Sequence, residues 1–250
     1  MSLKSLNGRV AIVTGGGRGM GEAHCLELAK RGASVAVIDI DENVAEDVAS
    51  RITRSGGVSV AITCDVTSRA AVEAAVAQTA QVFGGIDIVV SNAGLVNDER
   101  SLFDTDDSEW QRMMAVNVDG CLNLTRASVP WLLRSQHGRV VIISSTWGQV
   151  PPGHSYSYIA AKGALIAYAK NMAVEFAPHQ ITVNAITPGS IRTRMVADPD
   201  RELALYPIPI GRMAEPEEVS FLLCYLVSDE AAFVTGQVMS INGGTPIVGI

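Results

Sequence analysis

Arg9-Val10-Ala11-Ile12-Val13-Thr14 runs directly into Gly15-Gly16-Gly17-Arg18-Gly19-Met20-Gly21. The first six residues form a short β-branched run that reads as a strand. The glycines after it let the backbone turn sharply and approach a pyrophosphate closely. A helical stretch then runs to about Arg31, and Gly32 marks its end. That helix offers its free N–H groups and positive end to an anion in the loop. The strict GxGxxG spacing is absent; what stands there is Thr14-Gly15-x-x-x-Gly19-x-Gly21. Placement between strand and helix makes the loop a nucleotide site, with Gly15, Gly17, Arg18, Gly19, Met20 and Gly21 as candidate cofactor-binding residues.

Working outward, Ser34 to Asp39 is a second strand, followed by a polar helix closed by Gly56-Gly57. Val58 to Thr63 is a third strand, and Ala70 to Phe83 a helix stopped by Gly84-Gly85. Further strands are expected at Ile86 to Ser91, Arg139 to Ser144, Ile181 to Ile186 and Gln237 to Ile241. Near-continuous apolar strands alternating with helices predict a parallel sheet covered on both faces. The expected fold is α/β: a Rossmann-like, doubly wound sheet of about seven strands. No linker or repeat divides residues 1–250, which read as a single dinucleotide-binding and catalytic domain. Pro188 to Glu217, rich in Pro and Arg, reads as a substrate loop or lid on the sheet edge.

Asp39 ends the second strand about 24 residues after the first loop glycine. A carboxylate there can accept hydrogen bonds from both adenosine ribose hydroxyls and would repel a 2′-phosphate, so it argues for NAD over NADP. Arg18 argues the other way, because an arginine in the loop could pair a 2′-phosphate. Asp41 reads as a helix N-cap.

Tyr158 and Lys162 lie four residues apart at the start of a helical segment, on one face and one turn apart. An ammonium beside a phenol favours the phenolate. Bringing a tyrosine from pH ~10 toward neutrality takes ~3 units, worth ~4 kcal/mol. A tyrosine tuned in this way can move a proton at an alcohol or carbonyl oxygen.

The bulk numbers exclude several classes. With 48% hydrophobic and 18% charged residues, the chain suits a soluble globular domain with a full core. There is no run of about 18 apolar residues to span a membrane, and Met1 to Gly8 has no apolar signal core. The net charge of −7 argues against a nucleic-acid partner. Cys25, Cys64, Cys121 and Cys224 are scattered, and read as buried thiols in a reducing, cytoplasmic compartment. His24, His137, His154 and His179 show no metal-ligand spacing, so no metal is expected.

The motifs together resemble the short-chain dehydrogenase/reductase family. They are the glycine loop, Ser91-Asn92-Ala93-Gly94, Asn117, Ser145, Tyr158-x-x-x-Lys162, Pro188-Gly189, and Thr235-Gly236-Gln237 to Gly243-Gly244. The resemblance covers essentially the whole chain in the expected order. It implies that Tyr158 is the acid/base, that Lys162 lowers its pKa and holds the nicotinamide ribose, and that Ser145 orients the substrate oxygen. Ser144 and Tyr156 are nearby decoys with the wrong spacing. Asn117 would complete a water-mediated proton path to Lys162. Asp65 and Val66 would lie beside the adenine, and Asn92, Ala93 and Gly94 would support the central strand and the adenine ribose. Pro188, Gly189, Ile191 and Thr193 would border the nicotinamide end, while Thr235-Gly236 looks structural. Ser91 departs from the second Asn that many relatives carry.

The implied function is NAD(H)-dependent hydride transfer with a secondary alcohol or ketone. Candidate substrate residues are Leu95, Val96, Trp147, Val150, Pro151, Met195, Leu203, Leu205, Tyr206 and Ile208. Most are apolar, which suits a neutral substrate. The family also implies a homotetramer pairing helices like those at Asp107 to Ser135 and Tyr158 to Ala177, with the apolar end Pro246 to Ile250 suited to an interface. Rival readings are an NADPH-using 3-oxoacyl carrier-protein reductase, a non-catalytic NAD-binding sensor, and a nucleotide-fold methyltransferase.

Overall fold

The computed structural model describes residues 5–97, 101–194, 196 and 198–245, with the backbone alone at 199, 201 and 202. Met195 and the apolar end 246–250 lie outside the described residues. The strands are β1 (Val10–Thr14), β2 (Ser34–Asp39), β3 (Val58–Thr63), β4 (Ile88–Ser91), β5 (Arg139–Ile143), β6 (Thr182–Pro188) and β7 (Val238–Ile241). They form one sheet in the order β3-β2-β1-β4-β5-β6-β7, and every pairing is parallel. The chain winds outward from β1 to β3, then crosses back to β4. That reversal opens a crevice at the carboxyl ends of β1 and β4, where a ligand can sit.

The helices are α1 (Gly19–Lys30), α2 (Glu42–Arg54), α3 (Arg69–Phe83), α4 (Asp107–Met114), α5 (Gly120–Leu132), α6 (Tyr156–Phe176), α7 (Pro199–Leu205) and α8 (Pro216–Leu226). Alternate strand residues point to opposite layers. Ile12, Ile38, Val89 and Ile142 pack with α3, α5 and α6 through Val76, Leu124 and Leu165. Ala11, Val13, Val37, Val90 and Val141 pack with α1, α2 and α8 through Leu28, Val48 and Leu223. Each fully buried Val, Leu or Ile contributes about 1.5–3 kcal/mol. This two-sided burial explains why β1, β4 and β5, buried along their whole length, carry no polar face.

Local signals set the boundaries. Asp41 caps α2 by accepting from Asn43 N, Ser68 caps α3 by accepting from Ala71 N, and α3 ends on Gly84 at φ 88°. The strand expected at Ile86 begins two residues later, at Ile88; just before it Asp87 is tied to β1 twice, its backbone N donating to Val10 O at 2.9 Å and its carboxylate accepting from Val10 N at 2.8 Å. Residues 188–217 are more ordered than a plain loop. β6 extends to Pro188, α7 follows, and Ile191 forms an isolated bridge with Ala214. Between α4 and α5 the chain widens into one π-helical turn, Ala115–Asp119, a distortion that often marks a functional position.

Candidate active site

Two cavities meet at the crevice. The larger, about 560 Å³, runs from Asp39 and Asp65 along the glycine loop to Gly94 and Leu95. The smaller, about 230 Å³, lies between Ser145, Trp147 and Tyr158 on one side and Gly189, Ile191, Tyr206 and Ile208 on the other. Met20 and Thr193 line both.

The glycine loop is fixed by its own backbone. Gly16 N donates to Ile38 O at 2.8 Å. Gly17 N donates to the Asp39 carboxylate at 3.0 Å, and Asp41 N donates to its other oxygen at 3.1 Å. A Cβ on Gly21 would fall 1.9 Å from Gly15 O, and Gly19 sits at φ 55°. No side chain fits the first position, and the second favours glycine. Arg18 pairs with Asp41. Thr14 Oγ1 accepts from Asn92 N and Ala93 N at 3.1 and 3.2 Å, while Asn92 Nδ2 donates to Thr14 O and Gly15 O. This ties the end of β4 to the loop.

Ser145 and Tyr158 are brought together by the end of β5 and the first turn of α6. Ser145 stands beside Tyr158 on the smaller cavity, where its hydroxyl favours the phenolate, and its Oγ accepts from Trp147 N at 3.2 Å. Ser144 instead turns inward and donates to Lys162 O at 2.7 Å. Tyr156 is not among the residues lining either cavity. Lys162 is buried; its Nζ donates to Ile143 O at 3.1 Å and lies 5.6 Å from the Tyr158 ring centre. Asn117 sits on the π turn and donates through Nδ2 to Met113 O and Leu95 O, leaving its buried Oδ1 without a partner. A Cβ on Gly94 would fall 2.6 Å from that oxygen and 3.3 Å from Lys162 Nζ.

Burial raises the Tyr158 pKa, and the neighbouring Ser145 hydroxyl partly offsets it. Burial also pushes Lys162 down, to about 8. The lysine donates to Ile143 O and stands over the phenol ring. The four cysteines are buried and free, and no metal-binding cluster occurs among the described residues. His24 is buried against Ser220 Oγ at 2.8 Å, a packing role.

Of the expected cofactor residues, Gly15, Arg18, Gly19, Met20, Gly21, Asp39, Asp65, Val66, Asn92, Ala93, Gly94 and Thr193 line the larger cavity. Tyr158, Pro188, Gly189 and Ile191 line the smaller one. Gly17, Lys162 and Asn117 stand behind the walls. Of the expected substrate residues, Val96, Trp147, Tyr206 and Ile208 line the smaller cavity, whereas Leu95 faces the larger. Val150 and Leu205 are exposed and line neither. Sequence reasoning missed Val116 and Arg112 in the larger cavity, and Ser190, Val196, Asn242 and Thr245 in the smaller. Val116 adjoins the singled-out Asn117, and Asn242 precedes Gly243-Gly244, so both had a neighbouring signal. The long crevice, the loop with no room for a Cβ and the Asp39 carboxylate on the cavity wall together fit a dinucleotide.

Known proteins agree. A family model described as enoyl-(acyl carrier protein) reductase matches residues 15–246. The 3-oxoacyl-(acyl-carrier-protein) reductase of Escherichia coli is 34% identical over 98% of this chain and 100% of its own length. The 2-(S)-hydroxypropyl-CoM dehydrogenase 3 of Xanthobacter autotrophicus is 34% identical over 96% of this chain and 97% of its own. The solved structure of a Brucella melitensis 3-ketoacyl-(acyl-carrier-protein) reductase complexed with NADH matches with a TM-score of 0.91 at 31% identity, covering 97% of this chain and 100% of that one. The chain therefore belongs to the short-chain dehydrogenase/reductase family, oxidoreductases that act on CH–OH groups with a nicotinamide cofactor.

Proposed function

We propose that this chain is an NAD(H)-dependent oxidoreductase of a neutral secondary alcohol or ketone, with Tyr158 as its acid/base. One observation carries the reading. The Ser145 and Tyr158 side chains together face a cavity lined by no described Lys, Arg, His, Asp or Glu. A single carbonyl oxygen can accept from both hydroxyls, and no charged partner there would favour an ionic substrate.

The bound dinucleotide supplies the hydride chemistry. The chain's own residues hold and orient it. The loop from Gly15 to Gly21 presents backbone N–H groups to the pyrophosphate. Asp39, preset by Gly17 N and Asp41 N, takes the adenosine ribose. Asp65 and Val66 flank the adenine, Asn92, Ala93 and Gly94 support its ribose, and Pro188, Gly189, Ile191 and Thr193 border the nicotinamide end. A 2′-phosphate would meet the Asp39 carboxylate, and Arg18, the cation that could receive it, is engaged by Asp41. Both points favour NAD over NADP.

With its pKa raised by burial, Tyr158 is protonated at neutral pH, as a proton donor to a ketone should be. Lys162 and Asn117 sit behind it. The gap kept open by Gly94, beside the unpartnered Asn117 Oδ1, supports a relay through an ordered water. Residues 188–217 act as the substrate lid of a single catalytic domain. The exposed Val174 of α6 is consistent with a homotetramer formed through α4, α5 and α6, and a light-scattering mass of 26.4 kDa would exclude it. Four free thiols suit a reducing cytoplasm.

The name of the Escherichia coli relative favours a second reading, reduction of a 3-oxoacyl group on an acidic carrier protein. The cofactor does not separate the two, because the Brucella melitensis relative is complexed with NADH. The surface does. Arg192 and Arg212 are held by Glu215 and Glu218, Arg112 by Glu109, and the chain carries −7, a poor match for an acidic partner. The deciding experiment measures turnover of a panel of free secondary alcohols and ketones with NAD(H), beside an acetoacetyl carrier-protein thioester with NADPH. Turnover confined to the thioester would overturn the first reading.

A further inference from the structure

The wall of the smaller cavity is an aromatic cluster whose members come from two separate segments. The Trp147 ring stands edge-on to His154 at 4.9 Å, to Tyr206 at 5.7 Å and to Tyr158 at 6.2 Å between ring centres. Trp147 follows the end of β5, whereas Tyr206 follows α7 in the 188–217 segment. His154 joins them. Its Nε2 lies 2.6 Å from the Tyr206 hydroxyl and its Nδ1 lies 3.0 Å from Ser155 Oγ.

Proton counting fixes the direction of these bonds. Ser155 Oγ donates its one proton to Asn97 O at 3.0 Å, so it accepts from Nδ1–H. Nε2 of the neutral ring is then an acceptor, and the Tyr206 hydroxyl donates to it. The anchor at the other end is firm. Ser155 is buried and held in the left-handed region at φ 57°, immediately before α6. Neighbouring Ser157 is tied to the same residue, accepting from Asn97 Nδ2 at 2.6 Å. Tyr206 is thus pinned, through one imidazole, to the frame that presents Tyr158.

We propose that His154 is a specificity-determining residue: by holding Tyr206 in place it fixes the aromatic wall and confines the enzyme to compact ketones and alcohols. The cavity of about 230 Å³ lies below the ~300–1,000 Å³ range of sites for drug-sized ligands. It suits a short aliphatic or single-ring arm laid against Trp147. Without the His154 bond Tyr206 is held less firmly, and the cavity can lengthen toward the lid. The inference rests on the proposed function and adds its size limit.

The test uses the whole protein with NADH and two neutral probes, butan-2-one and nonan-2-one. Wild type is expected to favour butan-2-one in kcat/KM by tenfold or more. His154→Phe keeps the ring and loses the acceptor; Tyr206→Phe keeps the ring and loses the donor. Each variant should reduce the preference about fivefold, the scale of one neutral hydrogen bond. The double variant should reduce it no further, because both changes remove the same bond. A variant that slows both ketones equally, or single effects that multiply in the double variant, overturns the inference. So does a wild type that accepts nonan-2-one as readily as butan-2-one, although that result leaves the functional reading intact. A wild type that reduces neither ketone overturns the functional reading, and the size limit falls with it.

Discussion

The two ends of the crevice are built on different principles. At the dinucleotide end the main chain does the holding: Gly16 N to Ile38 O, Gly17 N to Asp39, Asn92 N and Ala93 N to Thr14. Few residue types tolerate that arrangement, because a Cβ at Gly21 has nowhere to go. At the substrate end the walls are side chains from stretches far apart in the chain, among them Val96, Trp147, Tyr206 and Asn242. Many residues could fill such walls, and each choice gives another shape. One end accepts a fixed partner; the other is free to vary what reacts with it.

Removing the group where the two ends meet should have the largest effect. Tyr158→Phe takes away the proton and leaves the ring packed against Trp147. Turnover should fall by about 10²–10⁴-fold, the usual contribution of a positioned acid, while NADH affinity stays within a factor of about two. Single-turnover absorbance and fluorescence titration read the two quantities separately. Near-normal turnover would place the chemistry elsewhere.

The burial of that phenol predicts how pH divides the two directions. Because the Tyr158 pKa is raised, ketone reduction draws on the protonated form and should stay level from about pH 6 to 8. Alcohol oxidation needs the phenolate and should climb about tenfold per pH unit over the same range. Above about 8, where Lys162 loses its charge and with it its hold on the nicotinamide ribose, the climb should bend over. Paired kcat/KM profiles check this; an oxidation limb already flat at pH 7 would mean that the bound cofactor depresses the phenol.

At the dinucleotide end, Asp39→Ala should erode the preference for NADH over NADPH by about tenfold, the scale of a charge-assisted hydrogen bond lost and a repulsion relieved. Initial rates with each cofactor measure it. A wild type that already prefers NADPH would refute the NAD assignment.

The contrast between the ends also explains what the residues alone disclosed. The glycine loop between β1 and α1, Asp39 at the end of β2 and the Asp41 cap follow from short-range rules, and the structure carries each of them in place. Ser145 stood out from Ser144 only through the resemblance, by its spacing to the tyrosine, and no local rule separates the two. What stayed hidden depended on depth or on long-range meetings. The Tyr158–Lys162 spacing gives proximity but not depth, and burial by itself raises the phenol's pKa. Val150 and Leu205 are as apolar as Trp147 and Tyr206, yet only the latter two face the cavity. Nothing local marks His154 as the partner of a residue 52 positions on.

The smallest expected effect tests whether the arginine in the loop is kept from the cofactor by Asp41. Arg18 lies where it could receive a 2′-phosphate, but Asp41 holds its guanidinium, and the same carboxylate caps α2 through Asn43 N at 3.2 Å. Asp41→Asn separates the two jobs. Asparagine caps a helix as well as aspartate does, so thermal stability should hardly change, while the guanidinium loses its counter-charge and can swing toward the crevice. The pair is partly exposed, so its grip is worth no more than about 1 kcal/mol. The KM for NADPH should therefore fall only about three- to fivefold, with that for NADH unchanged. Adding Arg18→Ala should abolish the gain. If Asp41→Asn improves NADPH use without Arg18, the effect is a general loss of negative charge near Asp39, and the arginine plays no part in choosing the cofactor.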